Sequence, residues 1–218
     1  ALAANTTGGY NVALGNNALT TNTTASHNAA VGRNALTLNT TGANNVAVGS
    51  NALAANTTAA DNTAVGRSAL QANTTGTYNT AVGKSALAAN TTANGNTALG
   101  VSAMIGNTTG ANNIAVGYGA LYTNTTGTRN VVIGVEAMDD SDTESDNMAI
   151  GYQAMTVNNA GGTLNVAIGN YALDALTSGD NNVAVGHEAM TTNSTGTANT
   201  AIGYRSLYSN TTGSYNTA

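Results

Sequence analysis

The sequence has no cysteine, no proline, no tryptophan and no phenylalanine, and only 7% of its 218 residues carry charge. Without cysteine there is no disulfide, so the fold must close by other contacts and the redox compartment is not encoded. The charged fraction lies far below the roughly 25% of ordinary soluble domains, which leaves solubility to asparagine and threonine. A net charge of −5 with five Lys and Arg offers no basic stripe to neutralise phosphates, which argues against a nucleic-acid partner. No apolar run approaches the ~20 residues of a membrane helix, so no membrane insertion is expected of this segment. The chain opens at Ala1-Leu2 midway through a repeat, without an initiator Met or signal peptide. It is expected to be a fragment of a longer fibre.

What is present is a repeat. Glycine returns at Gly15, Gly32, Gly49, Gly66, Gly83, Gly100, Gly117, Gly134, Gly151, Gly169, Gly186 and Gly203. The spacing is seventeen residues, except eighteen between Gly151 and Gly169. A short fixed period marks stacked supersecondary units. Counted from its asparagine, the unit reads Asn-x-Ala-Val-Gly-x-x-Ala-Leu-x-x-Asn-Thr-Thr-Gly-x-x, in twelve whole copies from Asn11 to Tyr215. The whole of 1–218 therefore reads as one repetitive segment with partial coils at both ends.

Positions two to four, as in Val46-Ala47-Val48, form a short apolar run closed by glycine and read as a strand buried on both sides. The Ala-Leu pair at positions eight and nine reads as a second strand. Helix fails, because Gly and Asn-Thr-Thr-Gly interrupt every copy too soon. Two short strands and two turns per coil predict an all-β fold, a parallel β-solenoid (β-roll) of 17-residue coils. Stacking at the ~4.8 Å strand spacing would align the first-position asparagines in a structural ladder: Asn28, Asn45, Asn62, Asn79, Asn96, Asn113, Asn130, Asn147, Asn165, Asn182 and Asn199. Asn-Thr-Thr-Gly is expected on an outer turn, with its glycine supplying φ > 0. One coil has few large apolar residues to set against the entropy of ordering seventeen positions. A second interface is therefore expected. Position three, nearly always alanine and facing opposite to positions two and four, is its expected place. The chain should then be a parallel homo-oligomer, with a trimer expected.

Asn45-Val46-Ala47-Val48-Gly49, Asn165-Val166-Ala167-Ile168-Gly169 and Asn199-Thr200-Ala201-Ile202-Gly203 resemble the Asn-x-x-Ala-Ile-Gly head repeats of YadA-like trimeric autotransporter adhesins. The Asn-Thr-Thr-Gly arrays are similar to those of repetitive bacterial surface proteins and phage tail-fibre proteins. The resemblance implies a left-handed β-roll, homotrimeric about a long axis and extracellular, on a cell surface or virion. It brings no catalytic residues.

Departures from the repeat are where specific chemistry could sit. Six of the ten acidic residues fall within 136–146. Asp140, Asp142, Glu144 and Asp146 place hard oxygen ligands two residues apart, as Ca²⁺ loops do, but without the glycine and terminal Glu of an EF-hand. The competing reading is a solvated acidic turn. Asn-x-Ser/Thr sequons recur at Asn5, Asn22, Asn39, Asn56, Asn73, Asn90, Asn107, Asn124, Asn193 and Asn210, formally glycosylation sites, although turn chemistry alone accounts for them. The residue after each repeat glycine should form an outward column, and Tyr118, Tyr122, Tyr152, Tyr171, Tyr204 and Tyr208 enrich the C-terminal half in aromatics. These suit sugar or protein contacts, or simply pack along the stack. His27 and His187 are many coils apart, and no catalytic set or phosphate loop is legible.

The expected function is structural and non-enzymatic: the shaft or head of an extracellular adhesin or phage tail fibre, about 60 Å long at ~4.8 Å per coil, mediating surface attachment. No cofactor is expected, save Ca²⁺ if the acidic run binds one. Self-association comes first among partners, then a cell-surface receptor or glycan. The alternatives are a receptor- or glycan-binding lateral face, or a self-stacking filament. Ice binding is disfavoured, because adjacent Thr-Thr in a turn does not present the alternating Thr-x-Thr of a flat face.

Overall fold

A computed structural model describes residues 1–158 and 160–218. The chain forms two compact units, Ala1–Thr109 and Gly110–Ala218. Among the described residues there are twelve strands of three residues each. The first unit holds β1 (Val12–Leu14), β2 (Ala29–Val31), β3 (Val46–Val48), β4 (Thr63–Val65), β5 (Thr80–Val82) and β6 (Thr97–Leu99). The second holds β7 (Ile114–Val116), β8 (Val131–Ile133), β9 (Met148–Ile150), β10 (Val166–Ile168), β11 (Val183–Val185) and β12 (Thr200–Ile202). Within each unit consecutive strands pair in parallel and in register, Ala47 beside Ala64 and Ala64 beside Ala81. Each unit is a β-solenoid. The eighteen-residue coil keeps the register, with Met148 beside Val166, so its extra residue is absorbed in a turn.

The register follows from the repeat. Each coil lends its neighbour the same donors and acceptors, for example Val46 N to Asn62 O at 2.9 Å and Gly49 N to Val31 O at 2.7 Å. At Gly83, φ is +139°, and a Cβ would stand 2.3 Å from the carbonyl oxygen of Gly100. Only glycine meets both demands.

Two expectations about the coil are corrected. The Ala-Leu pair is a turn, not a second strand: Leu36, Leu53, Leu70 and Leu87 sit at φ between +49° and +50°, outside any strand. Their amides still bond from coil to coil, Leu53 N to Ala69 O at 3.0 Å, which fixes a backbone that leucine alone would not choose. Positive φ also falls at positions seven and seventeen, as in Asn51 and Asp61. It does not fall at the glycine of Asn-Thr-Thr-Gly. Gly42 is small for another reason, since a Cβ there would lie 2.1 Å from Ala59 O.

The second correction concerns which strand face is inside. Ala30, Ala47, Ala64, Ala81, Ala98, Ala115, Ala149, Ala167, Ala184 and Ala201 at position three are completely buried within their own coil. They do not meet another chain. The interior also holds the position-nine side chains Leu19, Leu36, Leu53, Leu70, Leu87, Met104, Leu121, Met138, Met155, Leu173 and Met190. A coil that must also house two asparagine side chains leaves room for little more than a methyl opposite them. Strand alternation then turns positions two and four outward.

Candidate functional site

Two columns of buried asparagine run through the stack. In the first, each asparagine accepts from the backbone of the next coil's asparagine: Asn45 N to Asn28 Oδ1 at 2.9 Å, Asn79 N to Asn62 Oδ1 at 2.9 Å, Asn182 N to Asn165 Oδ1 at 2.9 Å. In the second, the asparagine of Asn-Thr-Thr-Gly donates to its predecessor, Asn39 Nδ2 to Asn22 Oδ1 at 3.0 Å and Asn56 Nδ2 to Asn39 Oδ1 at 2.8 Å. In coils that carry both asparagines, the two columns meet on one acceptor. Gly42 O receives Asn28 Nδ2 and Asn39 Nδ2, both at 2.9 Å; Gly76 O receives Asn62 and Asn73, again at 2.9 Å. This double clamp closes the coil and satisfies amides that would be costly to bury unpaired.

Except for Asn5 and Asn210 in the first and last coils, the sequon asparagines are therefore not on the surface. Asn22, Asn39, Asn56, Asn73, Asn90, Asn107 and Asn124 have no exposed area, and Nδ2, the atom a glycan would occupy, points inward as a donor. The folded coil has no room for glycosylation there. The signal for an exposed turn and the signal for this clamp are the same four residues.

The acids of the run Asp140, Asp142, Glu144 and Asp146 do not converge on one point. Among the described residues no three His, Cys, Asp or Glu side chains converge to hold an ion. The acids separate to different partners. Asp146 forms a two-pronged pair with Arg129, Nε to Oδ1 and an amino nitrogen to Oδ2, both at 2.6 Å. That guanidinium, chiefly through its hydrogen bond, holds Asp146 below the usual carboxylate range. Asp142 accepts from the Thr125 hydroxyl. Asp140 bridges by its backbone to Val157. Glu144 turns inward and is 3% exposed. Its carboxylate accepts from Ser141 Oγ at 3.0 Å, Asp142 N at 2.8 Å, Thr143 N at 2.9 Å and Gly161 N at 3.0 Å. Ser141 and Glu144 stand where other coils have the Asn and Gly of Asn-Thr-Thr-Gly. The Glu carboxylate thus fills the space of the missing amide and caps the turn from within.

The outer surface carries two regular features. On the strand face, positions two and four present Val12, Leu14, Val46, Val48 and Leu99 in the first unit, and Ile114, Ile133 and Ile202 in the second, between 37% and 67% exposed. Parallel register stacks position four into an apolar column, Val31 beside Val48 and Val48 beside Val65, whereas position two sets Val46 beside Thr63. Sequence reasoning placed the interface on the other face of the same strands. At the neighbouring corner, the residues after the repeat glycines point out, as expected. In the second unit Tyr152, His187 and Tyr204 of this column join Tyr171, one place further on, in an aromatic run: Tyr152 to Tyr171 with ring centroids 5.4 Å apart, Tyr171 to His187 at 6.0 Å, His187 to Tyr204 at 5.8 Å. Burial by these neighbours, before any charge effect, raises the Tyr152 phenol. Packing along the stack accounts for these tyrosines. No protein family, no curated protein and no solved structure matches this chain.

Proposed function

We propose that this chain is a structural, non-enzymatic segment of an extracellular fibre, the shaft or head of an adhesin or phage tail fibre on a cell surface or virion. It is read as a left-handed β-roll that assembles as a parallel homotrimer, and it holds attachment functions away from the surface it stems from. The observation that carries this reading is the outward strand face. Exposed Val, Leu and Ile recur along this face in a chain so poor in charge, and contiguous apolar exposure of this kind marks an interaction surface. Burying a half-exposed Val or Leu contributes about 1 kcal/mol, and each unit repeats the contribution coil after coil. A homo-oligomeric seam on positions two and four replaces the one expected on position three. Stiffness then comes from coil-to-coil hydrogen bonds and needs no disulfide.

The chain lacks cysteine, so single-cysteine cross-linking is clean. Val48→Cys should give an interchain disulfide on mild oxidation, whereas Asn17→Cys, exposed at position seven, should not. Equal and negligible cross-linking of both would remove the seam. A second reading has one observation behind it. Thr63, Thr80 and Thr97 stack in register on the strand face, a column of hydroxyls that the sequence had placed only in turns. The apolar column beside them, Val65, Val82 and Leu99, favours the seam. Measurable thermal hysteresis would favour ice binding instead.

A further inference from the structure

The second unit contains two related arrangements, one filled by a cation and one empty, with the carboxylate on the preceding coil in the first and on the following coil in the second. In the filled copy, Arg205 lies with its guanidinium carbon 5.1 Å from the ring centroids of both Tyr204 and Tyr208. Its Nε donates to Glu188 of the preceding coil. Tyr204, Arg205 and Tyr208 hold positions six, seven and ten of their coil, and Glu188 holds position seven of its own. Two aromatic faces and a carboxylate surround one cation.

The same positions in an earlier coil are Tyr118, Gly119 and Tyr122, with Glu136 at position seven of the following coil. Here the arginine is replaced by glycine. The space it would occupy is a recess of about 200 Å³ lined by Tyr118, Gly119, Tyr122, Glu136 and Asp139. A Cβ on Gly119 would meet only Glu136 Cγ at 3.7 Å and Tyr122 Cδ2 at 4.0 Å, both ordinary contacts. The glycine is not there for backbone reasons, because Asn17, Asn34, Asn51, Ser68 and Ser85 take the same φ at position seven. Asp139 adds a second carboxylate whose Oδ1 is buried without a hydrogen-bond partner. Glu136 is held in place by Gln153 Nε2, 2.9 Å from its Oε2. Two tyrosine rings and two acids with no cation among the lining residues suit an organic cation, through ring quadrupole and charge together. Two carboxylates are too few for a Ca²⁺ shell of six to eight oxygens.

We propose that this recess binds a guanidinium group from outside the chain, in the place that Arg205 fills from within. The site uses positions six, seven and ten, not the outward positions two and four of the seam, and does not depend on the fibre reading. The burial and neighbouring negative charge of Glu136 and Asp140 that raise Asp139 toward protonation are the conditions a bound cation would relieve.

The test is calorimetric titration of the full chain with methylguanidinium chloride, against sodium chloride at equal ionic strength. The expected result is saturable binding, one ion per chain, with the Tyr118 and Tyr122 ring resonances shifting in NMR. Glu136→Gln keeps the contact from Gln153 and should weaken binding at least tenfold. Gly119→Arg, whose φ of +61° is close to the +54° of Arg205, should fill the recess, keep or raise Tm, and abolish binding. An Ala-Arg-Ala peptide binding at least tenfold tighter than methylguanidinium would assign the group to a protein side chain, and equal affinity to a free small cation. No saturable heat with wild type, undiminished binding by Glu136→Gln, or Ca²⁺ bound in preference would overturn the proposal.

Discussion

Replacing Asn56 by Asp changes one amide nitrogen to oxygen, with almost no change of volume. Asn56 is fully buried, and its Nδ2 donates to Asn39 Oδ1 at 2.8 Å and Ala59 O at 3.0 Å, while its Oδ1 accepts from Asn73 Nδ2 at 3.2 Å. The substitution removes both donors and sets a carboxylate against two oxygens. Ala59 O keeps its bond from Asn45 Nδ2 at 2.9 Å, so the heavier loss falls on Asn39 Oδ1. A deleted hydrogen bond costs about 1 kcal/mol and an orphaned buried acceptor roughly 1–3 kcal/mol. Burying the charge adds several more unless the acid takes up a proton. The sum is roughly 4–6 kcal/mol at pH 7. Protonation restores one donor, so the folded acid would titrate above its unfolded value. Stability would then be greatest at low pH and lost as pH rises through the folded pKa. Urea denaturation followed by circular dichroism at pH 7 and pH 5 should show a large deficit at pH 7 that narrows on acidification. Asn17→Asp, an exposed control whose Nδ2 meets Asn34 Oδ1 at 3.2 Å, should change stability by about 0.5 kcal/mol or less. If Asn56→Asp behaved like the control, with no pH dependence, the buried clamp would be wrong.

Gly83→Ala combines a forbidden φ with a contact of 2.3 Å to Gly100 O, and should cost about 3 kcal/mol or more in chemical denaturation; an unchanged midpoint would contradict the stacked backbone. Burial raises the Asp174 carboxyl, and a hydrogen bond from Thr156 only partly offsets it. A raised folded pKa means the ionised acid weakens the fold at neutral pH and not below the unfolded value. Asp174→Asn should therefore raise Tm at pH 7 and leave it unchanged near pH 3; a loss of Tm at pH 7 would assign Asp174 a stabilising role.

Period and coil boundaries could be read from the chain because repetition shows them twelve times, but the positive φ expected at the glycine of Asn-Thr-Thr-Gly belongs to the repeat glycines such as Gly83. The direction of the strand could not. In Val46-Ala47-Val48 alternation defines two faces, but larger side chains usually mark the inside, and here the narrow coil interior reverses that rule. The Asn-Thr-Thr-Gly asparagine hid behind a turn signal equally valid for a surface residue. One residue could have exposed it: Leu176 occupies that column, and it is fully buried. An apolar residue in an outer turn is out of place, whereas in an inward column it is natural. The leucines at positive φ carried no signal, since leucine does not favour that region, and only the bonds from coil to coil hold it there. The recess beside Gly119 left no trace in the sequence, because one more glycine in a turn reads as turn chemistry.

Sedimentation equilibrium of the chain tests the outward seam most directly. A trimer has three times the 21.4 kDa mass of one chain, about 64 kDa, and Val48→Asp with Val82→Asp should return it to one chain with its circular dichroism intact. A wild-type mass of one chain across the accessible concentration range would contradict the account.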